Sequence, residues 1–402
     1  MTPSRPGGAG PWRLQVVLLG LVTIGAYGVV LYGFGAFVGP IRDDTGWSNT
    51  AISAAFSIST LGGGLLALTT GCVLDRLGAL PVLSITLVAG AALLLVSTSA
   101  DRAWQFVATW GAGGAIVSAG LFYNVTMAVT ARITVEADRA RAFSWLTVIG
   151  GLASPIAFPL AGALLEQGDW RTAVRWMVLF MVACTLPALG FVRGDRDVLA
   201  APAADDLAGF PDVRTALASS TVRRWLVASS AGLAGLVAIQ VHHVAAIEAT
   251  GVSIGLASTL AGVRGLLSLP GRAVAGSVAS RLGVVNALRL TYLTMTLGTL
   301  ALVAAGAIAW VWLFVVLTGL AFGSVAPLQG LYAAELYGQR AIGSLMGMQQ
   351  VMLGLASAAG PLLLGLTIDL TDGYLVMLLL AVGLQVLALT SFRPPTTVTR
   401  SA

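Results

Sequence analysis

GCVLDRLG, from Gly71 to Gly78, returns as GSVASRLG from Gly276 to Gly283. The copies stand 205 residues apart, and a second pair of landmarks, Pro155 in SPIAFPLAG and Pro361 in GPLLLGL, stands 206 apart in equally Gly-rich apolar surroundings. Two landmarks that agree on one spacing divide the chain of 402 residues into two homologous halves.

Outward from these repeats the chain is apolar. Hydrophobic residues make up 57% and charged residues 10%, with a mean hydropathy of +0.90, which leaves too little polar surface to cover a water-facing globule. A helix needs about 20 apolar residues to cross the hydrocarbon core. Twelve such runs occur, at 14–38, 48–71, 79–99, 103–131, 139–165 and 170–192, then at 221–247, 253–280, 284–307, 309–337, 341–368 and 373–392. This predicts an all-α membrane protein of twelve transmembrane helices in two pseudo-symmetric six-helix bundles, one over 1–192 and one over 221–402. The break at 193–220 contains RGDRDVLAAPAADDLAGFPDV, rich in Asp, Pro and Ala without apolar periodicity. It reads as a cytoplasmic linker. The first run is long enough to span and lacks a small-residue cleavage site, so it reads as a retained helix.

All 22 basic residues are Arg. With the N-terminus inside, sixteen fall in or beside cytoplasmic segments, four outside (Arg42, Arg102, Arg171, Arg175) and two within a span. The positive-inside rule therefore predicts a multi-pass protein of the cell (inner) membrane with both termini cytoplasmic. The net charge of +5 reflects this topology, and no basic stripe with aromatic platforms suggests nucleic acid as a partner. Cys72 and Cys184 make no metal-type spacing and read as packing residues. No cofactor motif appears, and no phosphate-binding loop of the form G-x-x-x-x-G-K-[ST], so any work done must draw on gradients.

Twelve spans in two halves, with G-x-x-x-D-R-x-G between the second and third, resemble the major facilitator superfamily. Residues 32–57, YGFGAFVGPIRDDTGWSNTAISAAFS, and the eighth-span stretch SLPGRAVAGSVASRLG are similar to its monocarboxylate-porter and oxalate/formate-antiporter branch. The resemblance implies that Asp75 and Arg76 form a gate latch at the cytoplasmic mouth, with Arg281 in the second copy. Gly71 and Gly78 are expected to let the helix ends turn and approach closely. After Gly78, Ala79 and Leu80 replace the usual basic pair, and Ser280 replaces the Asp of the first copy, so the latch is asymmetric.

Charged residues inside a membrane carry an insertion cost of about 2.5–3.5 kcal/mol each and need a reason to persist. The eighth span holds Arg264 and Arg272 with Ser268 between them, a four-residue spacing that sets all three along one side of a helix. Arg272 matches the position where the resemblance implies a substrate-binding Arg, and a guanidinium fork suits a carboxylate. The competing reading has Arg272 snorkelling to an interface and Arg264 serving structure alone. Tyr32 falls where the animal monocarboxylate carriers have a proton-linked lysine, and Ser268 where they have a carboxylate. No acidic residue lies at mid-span, Glu248 and Glu335 being near span ends, so a carboxylate proton relay is not expected.

His242 and His243, late in the seventh span, are the titratable candidates for proton coupling. One of an adjacent helical pair must turn about 100° away from the other, towards lipid headgroups or a neighbouring helix. Tyr27, Tyr32, Tyr123, Asn124, Gln329, Tyr332, Gln349 and Gln350 are further candidates for the cavity wall, against the plainer reading that such residues bridge helices. The glycine runs LGGGLL at Leu61 to Leu66 and GAGGAIVSAG at Gly111 to Gly120 offer small-residue faces for sliding contacts between bundles.

These features predict a secondary active transporter of a small organic anion, of the monocarboxylate type, working by alternating access in the lipid bilayer. Proton symport, anion exchange and facilitated diffusion all remain open at this stage. The competing readings are an efflux permease for another small molecule or drug on the same fold, weakened by the missing membrane carboxylate, and a non-transporting receptor. An enzyme is disfavoured, because no nucleophile or acid–base cluster appears.

Overall fold

The computed structural model describes residues 12–134, 136–192, 219–337 and 342–393, and every element among them is helical. The twelve expected spans are present. The first runs over Trp12–Thr45, the second over Asn49–Leu77, the third over Ala79–Ser97 and the fourth over Ala103–Ile133. Two helices, Glu136–Gly151 and Ala153–Gln167, make the fifth, and Trp170–Phe191 is the sixth. The second half repeats the order with Ser220–Glu248, Ile254–Leu282, Val284–Val303, Ile308–Tyr337, Ile342–Thr371 and Leu375–Ser391. Among the described residues nine helices meet a length-and-apolarity test for crossing a membrane. The eighth, ninth and twelfth pack beside them as full partners of the bundle.

Several helices outrun their apolar stretches, because backbone hydrogen bonding continues through the polar interface. The first span, expected to end at 38, carries Arg42, Asp43 and Asp44 in its last turns and stops at Gly46. Gly78 and Gly283, the last residues of the repeated octapeptide, have φ of +85° and +79°. Only glycine enters that region freely, so each copy turns the chain into the next span within one residue. Ser48, Asp169 and Ser253 cap the second, sixth and eighth helices, each accepting a hydrogen bond from the N–H three residues on.

Both ends of the described chain and the Gly78 and Gly283 turns share one end of the bundle, called here the terminal end. The described hydrogen bonds between the halves run from the middle of the bundle to the opposite, far end. Asp369 accepts from Asn49 N (2.7 Å), Asn49 Nδ2 (2.9 Å), Thr50 N (2.7 Å) and Thr50 Oγ1 (2.5 Å). Arg42 Nη1 donates to Tyr374 Oη at 2.9 Å, Ser57 Oγ donates to the Ala358 carbonyl at 2.5 Å, and Ser53 Oγ and His242 Nε2 lie 3.1 Å apart. One hydrophobic core takes in the first half along its length and the far-side part of the second, whereas Trp225, Leu288, Tyr292, Tyr332 and Phe392 belong to a separate core of the second half alone. The halves are therefore closed on each other at the far end.

Two expectations about glycine change. The runs at Leu61 to Leu66 and Gly111 to Gly120 do not slide between bundles; they lock helices inside the first half. A Cβ on Gly63 would lie 2.6 Å from Ser118, one on Gly114 2.3 Å from Ser59 Oγ, and one on Gly120 2.2 Å from Thr86. The interface between halves uses other glycines, with Gly35 against the Gln240 carbonyl and Gly162 against Ser258. A Cβ on Gly71 or its counterpart Gly276 would meet nothing within 4 Å, and among the described residues no hydrogen bond joins the halves at that level.

Candidate functional site

Three helices of the first half break at one depth. The first span opens into a π-helix over Gly28–Gly33, an irregularity that frequently marks functional positions. Gly33 permits it, since a Cβ there would lie 2.8 Å from the Gly28 carbonyl oxygen. The fourth span breaks at Phe122, whose backbone is extended (φ −86°, ψ 179°), and the fifth between Gly151 and Ala153. The breaks bring Tyr27, Tyr32, Phe122 and Tyr123 together. Tyr27 stacks on Phe122 at 3.8 Å and lies 5.3 Å from Tyr123 and 6.3 Å from Tyr32. Tyr123 donates to the Thr147 carbonyl at 3.4 Å.

The wall continues into the second half. Tyr32 lies 5.7 Å from Phe158, which meets His243 edge-on at 5.2 Å; His243 in turn lies 6.3 Å from Phe314. The Arg264 guanidinium carbon stands 5.7 Å from the Phe314 ring and 5.5 Å from Phe322. These distances allow cation–π attraction on two sides.

Arg264 is 3% exposed. Its Nε donates to Thr318 Oγ1 and its Nη1 to Gln240 Oε1, both at 2.8 Å. Thr318 passes its own hydrogen to the Phe314 carbonyl at 2.7 Å, so it meets the arginine purely as an acceptor. Both partners are neutral, and among the described residues no carboxylate pairs with this charge. Beside it, Gln240 Nε2 and His243 Nε2 are buried without partners. His243 Nδ1 lies 3.0 Å and 3.1 Å from the carbonyls of Ile239 and Gln240. Carbonyls only accept, so Nδ1 carries the hydrogen and Nε2 presents a lone pair.

The other candidates sort by where the helices take them. Arg272, half-buried, lies in electrostatic reach of Tyr27, Tyr32 and Tyr123. Ser268 sits between the arginines as expected but donates its hydroxyl to the Gly265 carbonyl at 2.6 Å, so that hydrogen is spent on its own helix. Asn124 is exposed and donates to the Ala119 carbonyl at 2.8 Å, an acceptor freed by the break at Phe122. His242 is buried at the junction of the halves, near Ser53 and 3.4 Å from the Pro361 carbonyl; neither histidine faces lipid.

Gln329 and Tyr332 are not brought to the aromatic wall. Gln329 accepts from Trp225 Nε1 and Ser229 Oγ, both at 2.9 Å, and Tyr332 donates to the Arg393 carbonyl at 2.8 Å. The tenth helix turns its Phe314, Thr318 and Phe322 towards Arg264 and its Gln329 and Tyr332 into the second half's own core. The side chains of Gln349, Gln350, Asp75 and Glu335 lie outside what is described, while Arg76 and Arg281 are exposed at the terminal end. Arg132, unremarked in the sequence, reaches that end and donates to the Leu74 carbonyl at 2.9 Å.

Gln240, Thr318, Phe158, Phe314 and Phe322 are the candidate site residues that sequence reasoning missed. Their signal lay in depth: a buried arginine needs acceptors at its own level, and Gln240 and Thr318 are the polar side chains at that level on the neighbouring seventh and tenth spans.

A family model described as the Major Facilitator Superfamily matches residues 18–361. No curated protein matches in sequence. Among solved structures the chain is similar to a variant of the nucleoside transporter NupG, with TM-score 0.81, 15% identity and coverage of 95% of this chain and 98% of that one. It is also similar to a D-xylose-proton symporter (0.74, 14%, 96% and 99%). A bacterial homologue of the human lysosomal transporter Spinster gives 0.72 and 13%, covering 96% and 98%. At these identities the likeness carries the fold alone.

Proposed function

Because the chain belongs to the Major Facilitator Superfamily, we propose that it carries a small organic anion of the monocarboxylate class, held by Arg264 together with Arg272. Membership makes it a multi-pass secondary transporter and not an enzyme. The observation that carries the anion reading is Arg264: a guanidinium 3% exposed whose described hydrogen-bond partners are both neutral. A buried cation left unneutralised is costly, and a substrate carboxylate entering its fork would complete the pairing.

The surroundings support a small, partly apolar anion. Aromatic faces line the wall, Gln240 Nε2 offers a donor, and His243 Nε2 offers an acceptor for a hydroxyl or a proton. The arginine distribution supports placement in the inner membrane with both termini cytoplasmic, and under that placement the far-end closure is the inward-facing state. His243, within electrostatic reach of Arg264, is the coupling candidate nearest the anion.

The test is uptake of labelled lactate and pyruvate into proteoliposomes, with and without a proton gradient, by the wild type, Arg264→Gln and Arg272→Gln. Losing a charged hydrogen-bonding partner removes about 1.5–3 kcal/mol, or roughly 10- to 150-fold in apparent affinity. Saturable uptake weakened by that factor in the Arg264 variant is expected. No saturable uptake of any acid, or uptake unchanged in both variants, overturns the reading. Stimulation by the gradient assigns symport, and its absence alongside counterflow assigns exchange.

A further inference from the structure

On the side of the first half turned away from the aromatic wall, the first and fifth helices part towards the terminal end. They touch where Gly20 meets Ile149, a Cβ on the glycine falling 2.5 Å from the isoleucine side chain. Nearer the terminal end lies a cavity of about 410 Å³ lined by Trp12, Arg13, Val16, Val17, Arg141 and Trp145. We propose that this groove binds the phosphate of an anionic phospholipid, with an acyl chain running down its valine floor.

Direction and depth carry the assignment. Gly150 on the fifth helix faces Tyr123 and the aromatic wall, its added Cβ lying 2.2 Å from the phenol oxygen. At 100° per residue, Arg141 and Trp145 project from roughly the opposite side of that helix, away from the transport pathway. Trp145 and Val17 are 56% and 42% exposed, the exposure of side chains that meet acyl chains in a membrane protein. Depth agrees with direction: Arg13 lies in the first described turn of its helix, Trp12–Tyr27, and Arg141 in the second turn of its own, Glu136–Gly151. Both arginines thus sit where headgroup phosphates lie, flanked by two indole rings of the kind that populate this layer.

Charge points to the headgroup. Among the described residues no acidic side chain lines the groove, so its two guanidiniums meet no described counter-ion there, and the Arg13 guanidinium carbon lies 5.8 Å from the Trp12 ring. A phosphate can accept from both forks at once. The valines continue the groove into the hydrocarbon, and this apolar floor favours a lipid over free phosphate. Basic pockets between transmembrane helices are the physical pattern by which acidic headgroups are held.

The experiment is native mass spectrometry of the full-length protein released from mixed phosphatidylglycerol and phosphatidylcholine vesicles. The variants are the double substitution Arg13→Gln with Arg141→Gln, its Lys/Lys counterpart, and Arg76→Gln with Arg281→Gln as a control of equal charge loss at the same end. The wild type should retain one phosphatidylglycerol in preference to phosphatidylcholine, and the Gln/Gln variant should lose that adduct by about 30-fold. The Lys/Lys and Arg76/Arg281 variants should keep it. Three outcomes overturn the proposal: equal retention by Gln/Gln, equal loss in the Arg76/Arg281 control, or stripping of the lipid by excess inorganic phosphate, which would mark a free-phosphate site. Thermal melting of each variant in detergent separates a lost site from a lost fold, since the Lys/Lys protein must melt with the wild type while Gln/Gln differs from it only in lipid.

Discussion

Replacing Asp369 with Ala should release the far-end closure. The carboxylate reaches from the end of the eleventh span to the start of the second and takes the backbone N–H groups of Asn49 and Thr50 together with their side chains. The next two N–H groups are satisfied locally, Ala51 by Ser48 Oγ and Ile52 by the Ser48 carbonyl. The first turn of the second helix is therefore completed from the other half of the molecule, and only while the halves touch. Four charged hydrogen bonds at nominal strength would sum to more than about 6 kcal/mol. Asp369 is exposed, however, and water takes over each group once the latch opens. The net term is that of a charged helix cap, about 1–2 kcal/mol.

Such a change multiplies the population open at the far end by roughly 5- to 30-fold. It can be read in a cysteine-free background carrying Ala245→Cys. Ala245 is buried between the halves, with a Cβ on Gly39 falling 3.6 Å from its own. Its alkylation by an impermeant reagent supplied to the far face should accelerate by that factor in Asp369→Ala. Asp372→Asn is the control, because Asp372 carries the same charge three residues on and makes no hydrogen bond among the described residues. An alkylation rate within twofold of the parent, or equal acceleration by the control, would refute the latch.

Arg264→Met should abolish anion uptake while detergent melting temperature holds or rises, since the substitution removes an unneutralised buried charge; a large drop in melting temperature would mark the arginine as structural. Gly150→Ala should weaken substrate affinity several-fold, because the new methyl would lie 2.2 Å from the Tyr123 hydroxyl and 2.9 Å from Thr23 and must displace the phenol; unaltered KM would place Tyr123 outside the site. Gln329→Leu should cost about 1–3 kcal/mol by stranding the buried Trp225 Nε1, seen as a lower melting temperature with KM unchanged. Gly78→Ala forces a side chain to φ +85° and should destabilise by about 1 kcal/mol, again read by melting.

The two halves, the twelve spans and the turn at each octapeptide were legible because they rest on composition, length and glycine, which act over a few residues or over the whole chain. The candidate site was legible only in its charged and phenolic members. Arg264 announces itself by the expense of a guanidinium in hydrocarbon, and Tyr32 and Tyr123 by being phenols in apolar runs. What hid the rest is that a helix-lined cavity is assembled by depth and facing, and both are reset wherever a helix breaks. The π-turn over Gly28–Gly33 holds one residue more than an α-turn would. That extra residue rotates everything beyond it, so a regular wheel drawn through the first span misplaces Tyr32 relative to Tyr27. The extended Phe122 does the same to the fourth span.

Gln329 shows the converse error. It lies on a span expected to line the cavity, yet it is eleven residues, or about three turns, beyond Thr318, and a helix of that length serves two environments. Thr318 meets a cation at the junction of the halves, while Gln329 closes a network inside one half. A polar residue in a membrane helix is thus read by asking which group at its own depth lacks a partner. Arg264 passes that test, since its charge has no counter-ion among the described residues. Gln329 fails it, since its oxygen already accepts two hydrogen bonds. Each histidine keeps one buried ring nitrogen without a partner, Nδ1 of His242 and Nε2 of His243, and place separates them: His242 Nε2 lies at the contact between halves near Ser53, while His243 stands within electrostatic reach of Arg264. For that reason the anion and any coupled proton should be sought at His243 and Arg264.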